Sequence, residues 1–180
     1  QQERIDDLLA TADQGRILRE GVRTVIYGKP NVGKSSLLNR LLGYQRAIVS
    51  AREGTTRDTI EEVVNLRGIP LRLIDTAGVR ESEDEIEREG IEMTHGQVAR
   101  ADLVLEVFDL SGPLVESSLD VPEGAKHLRI LNKVDEAGPA WEGAEGLRIS
   151  CETGQGFSDL EEALATLLSL DEASWGVHSV

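Results

Sequence analysis

Cysteine occurs once in this chain of 180 residues, and phenylalanine, tyrosine and tryptophan occur twice each. A lone Cys151 cannot close an internal disulfide, so a disulfide-stapled secreted domain is excluded and a reducing, cytoplasmic setting is expected. Aromatics at 3% offer no evident platform for stacking bases. Positive charge is also short: 19 lysines and arginines against 33 aspartates and glutamates leave a net charge of −14. Such a surface repels a nucleic-acid backbone, so direct nucleic-acid binding by this domain is not expected. A single nucleotide is a different case, because a local cradle of N–H groups with Mg²⁺ overcomes an unfavourable global charge. No apolar run approaches the roughly 20 residues of a membrane span, and no charged-then-apolar leader opens the chain, so no membrane attachment is expected. Hydrophobic residues at 39% and the chain length suit one domain with a real core.

What is present is organised around Gly28-Lys29-Pro30-Asn31-Val32-Gly33-Lys34-Ser35, which fits the phosphate-loop spacing G-x-x-x-x-G-K-[ST]. Residues 23–27 before it read as a short buried strand, and residues 36–42 after it as a helix that Gly43 ends as a C-cap. Gly28 and Gly33 let the backbone turn so that its N–H groups face inward, and the helix N-terminus adds its own. In such a loop Lys34 reaches the β- and γ-phosphates and the Ser35 hydroxyl holds Mg²⁺.

The rest of the chain alternates strands and helices. Residues 1–20 read as an N-terminal connecting segment with a leader helix, and residues 44–59 as a long polar loop. Strands are expected at 60–66 and 71–74, joined by Gly68-Ile69-Pro70 as an antiparallel pair. An acidic stretch at 79–85 precedes an amphipathic helix over 86–98. Residues 103–108 form a central strand, 110–126 a loose segment with at most one short helix, and 127–131 another strand. A surface loop at 136–146, a short strand at 147–149 and a closing helix from Phe157 to Leu170 complete the domain over 21–170, before a tail at 171–180. The expected fold is α/β, with about six strands, mostly parallel, one antiparallel edge strand and helices on both faces. Ligands in such sheets sit beyond the C-terminal strand ends, and every polar cluster here follows a strand.

Three of those clusters carry chemistry. Asp75-Thr76-Ala77-Gly78 places a strand-end acid where Mg²⁺ is held, directly or through water, although an aspartate helix cap fits the same residues. Thr55 and Thr56 lie in the long loop, where one hydroxyl can complete Mg²⁺ coordination only while a γ-phosphate is present; an ordinary polar loop is the plainer reading. Asn132-Lys133-Val134-Asp135 selects the base. The Asp135 carboxylate can accept from guanine N1–H and the 2-amino group, a paired donor edge that adenine lacks. Asn132 can bind the base's acceptor edge or tie loops together, and Lys133 can lay its stem along the ring. Ser150 and the Cys151 amide are expected to close over the base edge. A helix N-cap with a surface lysine is the alternative for 132–135.

Together with the strings Pro30–Asn39, Gly54–Asp58, and Asp75–Arg80 with Glu85–Ile91, these motifs resemble the G domain of the MnmE (TrmE) family of tRNA-modification GTPases over roughly residues 16–169, which implies the fold of a phosphate-loop GTPase of the Ras-like G-domain kind. The resemblance implies a GTP/GDP site made of Asn31, Val32, Gly33, Lys34, Ser35 and Ser36; of Ser50, Ala51, Arg52, Glu53, Gly54, Thr55 and Thr56; of Asp75, Thr76, Ala77 and Gly78; of Asn132, Lys133, Val134 and Asp135; and of Ser150, Cys151 and Glu152. It implies Mg²⁺ at Ser35, Thr56 and Asp75, and hydrolysis served by Lys34, Thr56 and Glu87. Val79 stands where Ras-like proteins carry a water-orienting glutamine, and Glu87 matches the family's later glutamate; by its sequence position alone, Glu87 reads as a solvated helix residue. Asn31 matches a family K⁺ ligand, with Ser50, Arg52 and Thr55 completing the shell. The family dimerises through its G domains in the triphosphate or transition state and works with MnmG on the tRNA wobble uridine. Its folate-binding domain, helical domain and C-terminal cysteine motif are not in this sequence, so residues 1–20 and 171–180 read as stubs, and GTP turnover without tRNA modification is expected. Two other readings fit: a GTP-gated dimerisation switch with little turnover alone, and a ribosome-assembly GTPase of the Era or Der type, which would carry basic RNA-binding appendages.

Overall fold

The computed structural model describes residues 19–44, 62–74, 96–113, 115, 117–138 and 141–168. Its frame is one six-stranded sheet of β1 (Val22–Tyr27), β2 (Glu62–Leu66), β3 (Ile69–Leu73), β4 (Leu103–Asp109), β5 (Lys126–Asn132) and β6 (Leu147–Arg148), in the order β2-β3-β1-β4-β5-β6. Only the β2–β3 pairing is antiparallel, and it lies at the sheet edge. Between β1 and the helix α1 (Lys34–Tyr44) runs the phosphate loop; α2 (Phe157–Leu168) follows β6.

β4 is buried at every position before Asp109, because both faces of the sheet are covered there. Val22 and Ile26 of β1, Leu71 and Leu73 of β3, and Leu103, Leu105 and Val107 of β4 pack against Leu37, Leu38 and Leu41 of α1 and Phe157, Leu160 and Leu164 of α2. The alternate residues Val25 and Val104 face the other way, onto Val98 and Ala101 with Leu119 and Val121 beside them. Residues 96–98 are helical, so helical structure lies on each face. Each fully buried leucine such as Leu37 or Leu38 contributes about 1.5–3 kcal/mol relative to exposure. A third cluster joins Phe108, Leu110, Leu131 and Trp141 near the C-terminal ends of β4 and β5.

Four expectations need correction. Gly43 does not cap α1: the helix runs on to Tyr44, and Gly43 is absent from the left-handed glycines that make such caps. The β2–β3 connection is Arg67-Gly68, both with positive φ (49° and 90°), as a tight two-residue hairpin turn requires; Ile69 and Pro70 already belong to β3. Asn65 helps close it by accepting the Gly68 N–H at 2.7 Å. The 136–146 segment is not merely a surface loop, because Trp141 within it is 1% exposed, lies 6.0 Å from the Phe108 ring and donates its indole N–H to the Gly112 carbonyl. Finally, the last strand is two residues long, ending at Arg148. Most of the expected 86–98 helix, the leader helix at 1–20 and the tail at 171–180 lie outside the described residues.

Candidate nucleotide-binding site

At the C-terminal end of β1 the chain turns through Gly28–Gly33 into α1. Asn31 (φ 64°) and Gly33 (φ 99°) take left-handed conformations, and alternation of this kind turns successive N–H groups to one side as an anion-binding nest. The two glycines are fixed by contact as well. A Cβ on Gly28 would stand 2.6 Å from the Val107 carbonyl oxygen, and one on Gly33 would stand 2.1 Å from Asn132 Nδ2. α1 begins at Lys34, and its first turn carries N–H groups that have no carbonyl four residues back within the helix. Lys34 folds back so that Nζ donates to the Gly28 and Lys29 carbonyls, each at 2.7 Å, which holds its charge at the loop. A close-packed backbone cradle, a helix start and a tethered ammonium fit the phosphates of a nucleotide.

The cluster at Asn132–Asp135 is wired to that cradle. Asn132, 2% exposed at the end of β5, donates from Nδ2 to the Val32 carbonyl at 2.9 Å and accepts the Cys151 N–H on Oδ1 at 3.0 Å. Of the two roles left open for it by the sequence, the structure displays the tying one. The Cys151 amide, expected at the base edge, here donates to Asn132. Ser150 is fully buried, and its Oγ accepts the Thr153 N–H at 3.0 Å, a bond that shapes the loop. Lys133 adopts φ 64°, and its Nζ donates to the Asn31 carbonyl at 3.0 Å and to Asp109 Oδ2 at 2.6 Å. Val134–Glu136 then form one 3-10 turn that leaves Asp135 exposed, beside Glu136 and Glu152 with carboxylate oxygens within 4.8 Å of one another. A concentration of negative charge of that kind suits a ligand edge made of donors.

Two titrating groups report on this wiring. Burial pushes the Asp109 carboxyl up, but hydrogen bonds from Lys133 and Ser111 outweigh it and hold the group below the usual aspartate value. Burial pushes the Cys151 thiol up to about 11, opposed by Arg40 and reinforced by Asp135. The thiolate is the nucleophile, so Cys151 is expected to react with iodoacetamide on the order of a hundredfold more slowly than free cysteine at pH 8. Mass spectrometry of the alkylated peptide over time checks this; labelling at the free-cysteine rate contradicts it.

The sequence reading missed several participants. Arg40 of α1 donates from Nε to the Cys151 carbonyl at 2.7 Å and from Nη2 to the Glu152 carbonyl at 2.9 Å. Asp109 anchors Lys133. Behind the site, Glu106 is a buried carboxylate within β4, bonded to the Ser117 hydroxyl and, at 2.9 Å, to His127 Nε2. These partners are separated by 11 to 112 residues, so no local pattern announces them. Ser50, Ala51, Arg52, Glu53, Gly54, Thr55 and Thr56, then Asp75, Thr76, Ala77 and Gly78, and Glu87 all lie outside the described residues. Of the expected Mg²⁺ and K⁺ ligands, the structure therefore places Ser35 and Asn31. Among the described residues no helix is long and apolar enough to cross a membrane.

Residues 23–138 match the family described as 50S ribosome-binding GTPase. The tRNA modification GTPase MnmE of Akkermansia muciniphila is 56% identical over 169 residues, which are 93% of this chain and 38% of that protein. MnmE of Natranaerobius thermophilus is 46% identical over 175 residues, again 38% of its length, so this chain spans well under half of these relatives. Among solved structures, Era of Aquifex aeolicus bound to GDP and aluminium fluoride superposes with a TM-score of 0.58 at 27% identity, covering 81% of this chain and 56% of that one. The G domain of the T. maritima FeoB iron transporter gives a TM-score of 0.52 at 24% identity, covering 81% of this chain and 98% of that one, a likeness of fold alone.

Proposed function

This chain belongs to the 50S ribosome-binding GTPase family, its sequence kinship is with the G domain of MnmE, and on that premise we propose that it is the nucleotide-driven switch of a tRNA modification GTPase. Binding of GTP and GDP with Mg²⁺, and hydrolysis of GTP, are the activities of the family. The observation that carries the reading is the pair of hydrogen bonds from the Asn132 side chain, one donated to the Val32 carbonyl and one accepted from the Cys151 amide, which puts a phosphate cradle and the Asn132–Asp135 base cluster in one rigid unit.

The cradle of residues 28–35 takes the phosphates, with Lys34 on the β–γ pair and Ser35 as a ligand of Mg²⁺, joined by Thr56 and, through water, Asp75. Bound Mg²⁺ offsets the charge that develops on the phosphate oxygens. Asp135 accepts the guanine N1–H and 2-amino group. The Glu87 carboxylate orients the attacking water, the task that Val79 cannot perform. Asn31, with the carbonyls near Ser50, Arg52 and Thr55, holds K⁺ where it counters charge on the β–γ bridge. The finished K⁺ cage and ordered loops form the surface through which two copies pair, and the whole protein would act with MnmG on the wobble uridine of tRNA.

With a net charge of −14 on each copy, association requires ordered loops and counter-ions. Light scattering is expected to give a monomer with GDP in either salt, and a dimer with GDP plus fluoroaluminate in K⁺ but not in Na⁺. A monomer under every condition sinks the dimer and the K⁺ parts of this reading.

A further inference from the structure

Arg40 sits near the middle of α1, with its guanidinium reaching the loop between β6 and α2. Its two hydrogen bonds engage consecutive carbonyls, those of Cys151 and Glu152. Its Cζ lies 5.2 Å from the centre of the Phe157 ring, the first residue of α2. Gly154 (φ 86°) passes so close that a Cβ there would stand 2.8 Å from Nη1. The loop is thus wrapped around one planar cation; Gly154 N–H to the Ser150 carbonyl and Thr153 N–H to Ser150 Oγ brace it internally, and the Cys151 N–H ties it to Asn132.

We propose that Arg40 is a positioning residue for base recognition: by holding the Cys151 carbonyl, with the Glu152 carbonyl braced beside it, it fixes the peptide plane whose Glu152 N–H faces the guanine O6. The geometry follows from peptide planarity. In a trans peptide the N–H points opposite to the preceding carbonyl. With the Cys151 carbonyl turned to Arg40, the Glu152 N–H is directed away from it, and the Cys151 N–H is fixed on Asn132 at the base end of β5. A guanidinium suits this task better than an ammonium, because its planar, rigid fork fixes the direction of both bonds, whereas the donors of an ammonium turn freely on a flexible stem. Since α1 also starts the phosphate cradle, one helix sets both ends of the nucleotide site.

This inference rests on the guanine reading above, and the experiment separates the two. Titrations compare GDP, 6-thio-GDP and ADP against the parent chain, Arg40→Ala and Arg40→Lys, each checked for folding by circular dichroism. The parent is expected to bind GDP far more tightly than ADP, and about tenfold more tightly than 6-thio-GDP, whose sulfur is a poor acceptor for N–H groups. In Arg40→Ala the GDP affinity is expected to fall about tenfold and the sulfur penalty to shrink below about threefold, the non-additivity of coupled groups. Arg40→Lys keeps a cation near Phe157 but has no planar fork to fix the direction of the two carbonyls, so it is expected to behave like Arg40→Ala; it also serves as the test should Arg40→Ala fail to fold. A sulfur penalty unchanged in the folded variants overturns the positioning role while leaving guanine recognition intact. A parent that binds ADP as well as GDP overturns the guanine reading and this inference with it.

Discussion

Gly33→Ala is expected to lower affinity for GDP by at least about a hundredfold, while the sheet stays folded. Two effects combine. A left-handed backbone at φ 99° costs a non-glycine residue about 1–3 kcal/mol. The added methyl would then lie 2.1 Å from Asn132 Nδ2, a distance no carbon and nitrogen sustain. Asn132 is buried and cannot swing into solvent, so it must release the Val32 carbonyl, the Cys151 amide or both. Each buried bond broken costs about 1–3 kcal/mol, and about 2.7 kcal/mol in total already amounts to a hundredfold. Gly124→Ala is the control: it too has a positive φ, 89°, but open space around its Cβ. Calorimetric titration of both variants with Mg-GDP is expected to separate them. Equal affinities would show that the cradle tolerates a side chain and that the close approach at Gly33 has no bearing on binding.

The second large effect is expected from Asp135→Asn. A carboxylate within the 3-10 turn that follows β5 accepts two donors of guanine; an amide presents one acceptor and one donor and leaves one of them facing a like group. Loss of a charge-assisted pair together with one unsatisfied polar contact is expected to weaken GTP binding by about a hundredfold or more. Xanthosine triphosphate, which has a carbonyl in place of the 2-amino group, matches the new amide, so its affinity is expected to rise over the same range. Competition against a fluorescent guanine nucleotide checks both. Unchanged preference for GTP would remove Asp135 from base recognition and reopen an adenine-binding site.

The features legible in the sequence were those set over a few residues. Gly28 and Gly33 announce a tight turn, and the apolar run of β4 announces a strand covered on both faces. The short link after β2 announces an antiparallel pair, although which two residues form the turn was misjudged, because Pro70 looks like a turn residue and is tolerated at the outer end of β3, where its partner is Asn65. Gly43 misled for a related reason: a glycine near a helix end resembles a cap, but here the helix continues through it. From sequence alone Trp141 reads as part of a surface loop because its neighbours are glycine, proline and glutamate; its burial comes from Phe108, 33 positions earlier in the chain. Arg40, Asp109 and the Glu106–His127 pair escaped for the same physical reason, since their partners become neighbours only when the parallel sheet is assembled.

Phosphate release from GTP, measured beside ATP with Mg²⁺ in K⁺ and in Na⁺ over a range of protein concentrations, tests the account most directly. The expected result is release from GTP and not from ATP, at least about tenfold faster in K⁺, with specific activity rising with concentration and lost in Glu87→Ala. Release from GTP no faster than from ATP in either salt would contradict it.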